Sequence, residues 1–194
     1  MKSPYCFIVK PRNNVRYDNV SSYGDGSLIT SVSQEDHHAT NRHAIVLSPP
    51  LNYDGPIKRG DTIIVHHNVF RKYYDMKGQE KSGPCHLKDN IYIVEPDQIY
   101  LYKSNNNCSR CNNTWKSNLD YCFVRPKQKS KGDVLSLSTE EELIGEMVYS
   151  TNYLKEMGIK IGDDVSFLPD SEYGFKIDGE KLYRMRQKNI VAKL

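Results

Sequence analysis

The sequence predicts an all-β fold built twice, as two tandem small β-barrels over residues 1–103 and 120–194 with a linker at 104–119. Three observations carry this. Short runs of β-branched and aromatic residues, punctuated by Gly, Asn, Asp and Pro, recur along the chain, and helical periodicity is almost absent. The blocks of the first half return in the same order in the second. The stretch between the halves is rich in Asn and Ser and has no period. Small all-β units of this kind close into barrels or pack as sandwiches.

The elements follow in order. YCFIVKP, from Tyr5 to Pro11, reads as a strand closed by proline, and YCFVRP, from Tyr121 to Pro126, repeats it. Cys6 and Cys122 lie inside the two copies and are expected at equivalent buried positions, where Cys acts as a small hydrophobe. Each copy leads into a long polar stretch, Arg12 to Arg42 and Lys127 to Glu142. HAIVLS (His43 to Ser48) and GEMVYS (Gly145 to Ser150) are the next strands. PIKRGDTIIVHH (Pro56 to His67) and GIKIGDDVSF (Gly158 to Phe167) each pair a Gly-Asp turn with a β-branched strand. VFRKYYDMKGQEK predicts two short strands around Lys77-Gly78, and EYGFKIDGEK predicts a hairpin turning at Asp178-Gly179. NIYIVEPDQIYLYK matches KLYRMRQKNIVAKL, and Tyr92 to Tyr183 and Ile99 to Ile190 share one spacing. TEEELIGEM is the best helix candidate, although its apolar residues lead directly into a strand.

Composition narrows the function classes. A hydrophobic content of 38% and a mean hydropathy of −0.68 are polar for one compact globule, so small cores, long loops or assembly are expected. The net charge of +3 is spread over the whole length, with no basic block or acidic tail, which disfavours nucleic acid and membrane partners. No apolar run is long enough for a signal peptide or a membrane helix. The odd cysteine count, five, suggests no disulfide framework and points to a reducing, cytoplasmic location. No phosphate loop, nucleophile elbow or metalloprotease helix is present, so a non-enzyme without a cofactor is expected.

The block order resembles the GroES-type co-chaperonins. The Gly-Asp turns of IKRGDTIIV and IKIGDDVSF, the Gly-Glu strand of IGEMVYS and the last hairpin YGFKIDGEKLYRM carry the resemblance, which covers nearly the whole chain apart from the linker. It implies two GroES-like barrels and a co-chaperonin that caps a GroEL-type chaperonin ring. It also implies a mobile loop in each unit whose aliphatic residues dock on the partner, and a last strand that pairs with a neighbouring subunit in a ring or pseudo-ring. In the first loop the matching residues are Gly26, Ser27, Leu28, Ile29 and Thr30, and in the second Val134, Leu135 and Leu137. A compact aliphatic cluster on a polar loop is costly unless a partner buries it. The first half lacks the Gly-Glu pair. Both halves have only a short connection (PPLNYDGP and TNYLKEM) where the family places a roof hairpin, a trimming similar to that of bacteriophage-encoded members. Tandem duplication is similar to that of chloroplast co-chaperonins.

Other constellations carry less. Cys108 and Cys111 have the spacing of half a zinc site, with Cys85 and His86 as the nearest further ligands, and are weak metal candidates. His66-His67, read as strand neighbours, would face opposite sides and not share a metal. His37-His38 falls in the first polar stretch. Arg71, Lys72, Tyr73 and Tyr74 interleave cations with aromatics, so a single-stranded nucleic-acid-binding barrel is an alternative. A viral structural or assembly protein that kept the barrels is another.

Overall fold

The computed structural model describes residues 1–17, 20–23, 26–29, 40–105, 114–128 and 140–194. The chain divides into two compact units, Met1–Thr114 and Trp115–Leu194, and the division falls inside the Asn- and Ser-rich stretch. The fold is all-β.

The first unit carries β1 (Phe7–Pro11), β2 (Val20–Tyr23), β3 (Gly26–Ile29), β4 (His43–Ser48), β5 (Thr62–Val65), β6 (Lys72–Tyr74), β7 (Glu80–Ser82), β8 (His86–Lys88), β9 (Ile91–Val94) and β10 (Ile99–Lys103). Its sheet runs β10-β5-β4-β1-β9-β8, while β2-β3 and β6-β7 are separate hairpins. The second unit carries β11 (Lys116–Ser117), β12 (Tyr121–Gln128), β13 (Glu140–Tyr149), α1 (Asn152–Glu156), β14 (Asp164–Phe167), β15 (Tyr173–Ile177), β16 (Glu180–Arg186) and β17 (Ile190–Lys193). Its sheet runs β17-β14-β13-β12-β16-β15, the same order strand for strand. Among the described residues, the two ends of neither order pair with each other.

The registers fix how the copies correspond. Val9 lies opposite Val46 and Tyr92, and Val124 lies opposite Met147 and Tyr183. Pro11 faces Ala44 as Pro126 faces Gly145, and both first strands shift register at the same point, after Ile8 and after Phe123. Phe7 therefore corresponds to Cys122, and the two YCF runs are one residue out of phase. This corrects the expected equivalence of the cysteines. Cys6 is half-buried ahead of β1, whereas Cys122 is buried within β12. FIVKP and CFVRP share one burial pattern, so the inward positions are repeated and not the letters.

The Gly-Asp turns superpose bond for bond. Gly60 N–H donates to Val46 O at 2.8 Å and Gly162 N–H to Met147 O at 2.8 Å. Lys58 N–H donates to the Asp61 carboxylate at 2.8 Å, and Lys160 N–H to that of Asp163 at 2.7 Å. Both glycines are left-handed, with φ of 91° and 90°, which a side chain would strain. Each turn fixes the start of the strand behind it, β5 or β14.

Corresponding residues build the two cores. Phe7, Val9, Val46, Ile57, Ile63, Val65, Val94 and Ile99 pack together in the first unit. Cys122, Val124, Met147, Ile159, Val165, Phe167, Met185 and Ile190 occupy those places in the second. The loss of bulk from Phe7 to Cys122 is offset by gains from Val46 to Met147, Val65 to Phe167 and Val94 to Met185. At these corresponding positions bulk lost at one site is regained at others while individual shapes change, a kind of change cores tolerate. On the opposite face of the second sheet Phe123 meets Phe175 edge-on at 5.8 Å. Burial on both faces explains why TIIV and YCFV do not alternate.

Three local readings change. TEEELIGEM is not a helix: Glu140–Tyr149 is a strand, with Leu143 left-handed at φ 57° where the register against β12 slips. The α-helix lies instead in TNYLKEM, where Thr151 Oγ1 accepts from Leu154 N–H at 3.2 Å and Leu154 is buried. No strand lies between β4 and β5 or between β13 and β14. The hairpin β6-β7 turns at Lys77-Gly78 as predicted, but it belongs to the first unit only. In the second, five residues, 168–172, join β14 to β15.

Candidate docking segments

The polar stretches fall at equivalent places in the strand order, 18–39 between β1 and β4 and 129–139 between β12 and β13. Gly26, Ser27, Leu28 and Ile29 lie on β3, paired to β2 with Val20 opposite Ile29, Ser21 opposite Leu28 and Tyr23 opposite Gly26. This part of the stretch, which the resemblance implies is a mobile loop, carries a paired β2-β3 hairpin. Val, Ser and Tyr flank a Gly-Asp pair there, a composition suited to a two-residue connection. Thr30, Val134, Leu135 and Leu137 lie outside the described residues, as do Cys108, Cys111 and His37-His38.

The roots of both stretches are held by charged side chains. At the first, Tyr17 bridges to Thr40 and Asn41 N–H donates to Arg16 O at 2.9 Å. Asn41 Nδ2 also donates to Val15 O at 2.7 Å. The Arg16 guanidinium donates to Phe70 O at 3.0 Å, Ser82 Oγ at 3.1 Å and Arg71 O at 3.2 Å. It lies over the Tyr92 ring, 5.4 Å from its centre, a cation–π contact. At the second root Gln128 faces Glu140, whose carboxylate accepts from Lys181 Nζ at 2.7 Å and from the Tyr183 hydroxyl. Arg125 beside it joins Glu146 at 2.7 Å and Glu180 at 2.9 Å. Tyr92 and Tyr183 correspond, so both roots rest on the same tyrosine position with a cation over its ring, Arg16 in one and Lys181 at 5.1 Å in the other, and the second adds the Glu140 carboxylate on the hydroxyl.

Burial works to raise the Glu140 pKa, but the hydrogen bonds from Lys181 and Tyr183 outweigh it and hold the carboxyl below the usual range. The bond to Glu140 raises Lys181 in turn. Neither Arg16 nor Glu140 was legible as a functional residue in the sequence. Their one signal is that each stands at the end of a polar stretch.

The remaining candidates resolve as follows. Tyr73 and Tyr74 are exposed on β6. Lys72 beside them pairs with Glu80 at 2.6 Å, and Lys81 opposite lies 3.9 Å from Asp75, which leaves less cation for a phosphate backbone. His66 and His67 are not strand neighbours. β5 ends at Val65, His66 Nδ1 accepts from Asn68 N–H at 3.1 Å, and the two rings stack at 4.1 Å. Among the described residues no group of three or more His, Cys, Asp or Glu could hold a metal ion, and no helix is long and apolar enough to cross a membrane. Trp115, inside the stretch read as linker, is buried and donates from Nε1 to Asp178 Oδ2 at 2.8 Å, so that end of the stretch packs into the second unit. Compared with models of known protein families and with curated protein sequences, the chain matches none.

Proposed function

We propose that this protein is a tandem co-chaperonin of GroES-like units that docks on a GroEL-type chaperonin through the segments 18–39 and 129–139. The observation that carries the reading is the repetition of one sheet order with a long polar segment of sequence between corresponding strands of both copies. Each segment carries one aliphatic cluster, Leu28-Ile29 with Gly26, Ser27 and Thr30 around it, and Val134, Leu135 and Leu137. Burying two or three such side chains stabilises a contact by about 2–3 kcal/mol each. Ordering the segment opposes part of that. Contacts that are weak singly become strong through multiplicity on a ring and stay reversible. The protein itself has no catalytic role in this reading, and nucleotide hydrolysis belongs to the partner. Self-assembly runs through the exposed edge strand β17.

The test mixes the full chain with a GroEL-type chaperonin and ATP and follows co-sedimentation. The wild type is expected to sediment with the chaperonin. Leu28→Ser/Ile29→Ser is expected to lose at least about tenfold in affinity, the equivalent of 1.4 kcal/mol. A wild type that never joins the chaperonin, or a double variant that binds as well, sinks the reading.

A further inference from the structure

We propose that Arg16 is a positioning residue that makes the β6-β7 hairpin and the root of the segment 18–39 one mechanical piece. The hairpin has strands of three residues and pairs with no other strand among those described. A two-stranded hairpin of that size is marginally stable at best by itself in water. Its tip is exposed at Met76, and what fastens its base is the Arg16 fork. The guanidinium reaches Phe70 O and Arg71 O ahead of β6 and Ser82 Oγ at the end of β7, so one planar group spans both hairpin strands. Gly83 N–H donates to Arg71 O at 3.2 Å and closes the same base.

The main chain of the same residue belongs to the root, where Arg16 O accepts from Asn41 N–H. Its neighbour adds a second tie, Lys72 N–H donating to the Tyr17 hydroxyl at 2.8 Å. A lysine cannot replace the fork, because an ammonium is a point donor without the fixed planar spread that meets three acceptors. The second unit offers an internal contrast. It has no such hairpin, and its root is tied by Glu140 to its own sheet strand β16. The coupling is thus a property of the first unit alone. Its consequence for docking rests on the co-chaperonin reading, while the coupling itself is measured on the free protein.

Amide hydrogen exchange on the full chain tests it through a double-variant cycle. Gly78 lies at the far end of the hairpin with φ +72°, a conformation a β-branched residue rarely adopts, so Gly78→Val loosens the tip without touching Arg16. In the wild-type background Gly78→Val should speed exchange at the Asn41 amide about fivefold or more. In Arg16→Ala and Arg16→Lys that amide is already faster, and Gly78→Val adds clearly less than in the wild type, the remainder passing through the Tyr17 tie. Amides of β12 and β16 in the second unit stay unchanged throughout. An Asn41 response equal in both backgrounds, or absent in the wild type, overturns the proposal. Ser82→Ala, which removes one acceptor only, keeps the test decisive if Arg16→Ala unfolds the unit. It should weaken the tip-to-root response, and an undiminished response overturns the proposal equally.

Discussion

A β-carbon placed on Gly145 would lie 2.3 Å from Val124 Cγ1 and 2.5 Å from Arg125 O. Neither neighbour can move easily, since Val124 is in the core and Arg125 O is main chain. Gly145→Ala should therefore destabilise the second unit by about 1–3 kcal/mol, the cost of overpacking a filled site, read as a lower urea midpoint at unchanged slope. A midpoint equal to wild type would show that β12 and β13 can separate at no cost. The first unit holds Ala44 at the corresponding place, buried without a clash. The Gly-Glu pair is thus a requirement of one copy's spacing, and its absence from the first copy does not break the shared fold. The repeated YCF shows the limit of reading letters. Tyr, Cys and Phe are legible as strand residues, but phase is set by which side chains face inward. Cys122 takes the place of a phenyl ring, with burial and then the charge of Asp120 pushing its thiol up to about 12. A thiol held protonated in this way is a packing group and not a nucleophile.

Among the elements, the root of the segment 129–139 carries a shifted carboxyl. The folded Glu140 carboxyl is held below its ordinary value, so its contribution is present above the unfolded carboxylate range and is lost as pH falls through the depressed folded value. Glu140→Gln should remove that contribution, lowering stability slightly at neutral pH and converging with the wild type in acid, so that its profile on the acid side is flatter. The magnitude is small, under about 1 kcal/mol, because Lys181 is mostly exposed and water screens the pair. Identical acid limbs for wild type and variant would show that Glu140 does not hold the root. Most strands were legible because β-branched runs bounded by Gly, Asp and Pro leave few alternatives, and the turns at Asp178-Gly179 and Lys77-Gly78 declared themselves. TEEELIGEM pulled toward helix because Glu and Leu favour one, yet pairing with β12 and β14 overrides that preference. α1 was missed because a one-turn helix has no period to detect. Its signal was the capping Thr151 alone. Arg16 was not legible because its partners are two main-chain oxygens and a serine more than fifty residues away.

At the scale of the molecule the copies also differ at their last strands. Ile99 corresponds to Ile190, and so Tyr100 to Val191. Tyr100 is 3% exposed, whereas Val191 is 61% exposed on β17, the outer strand of its sheet, with exposed Leu194 beyond it. An open apolar edge invites pairing with another chain. If self-assembly runs through this edge, Val191→Lys should shift the sedimentation profile toward the monomer, and a wild type that stays monomeric across concentrations would remove that route. The duplicated plan was legible from block order, while the divergence of the two cores was not, because compensating volumes leave no mark on a sequence read strand by strand. That divergence also bears on folding fidelity. A chain holding two copies of one strand order in one register risks threading β1 into the sheet meant for β12. The wrong exchange would drive the ring of Phe7 into the space of a thiol and leave a void where the ring belonged, each worth about 1–3 kcal/mol or more. Unequal interiors thus act as a lock on pairing, and the mismatch between Phe7 and Cys122 steers each first strand to its own half.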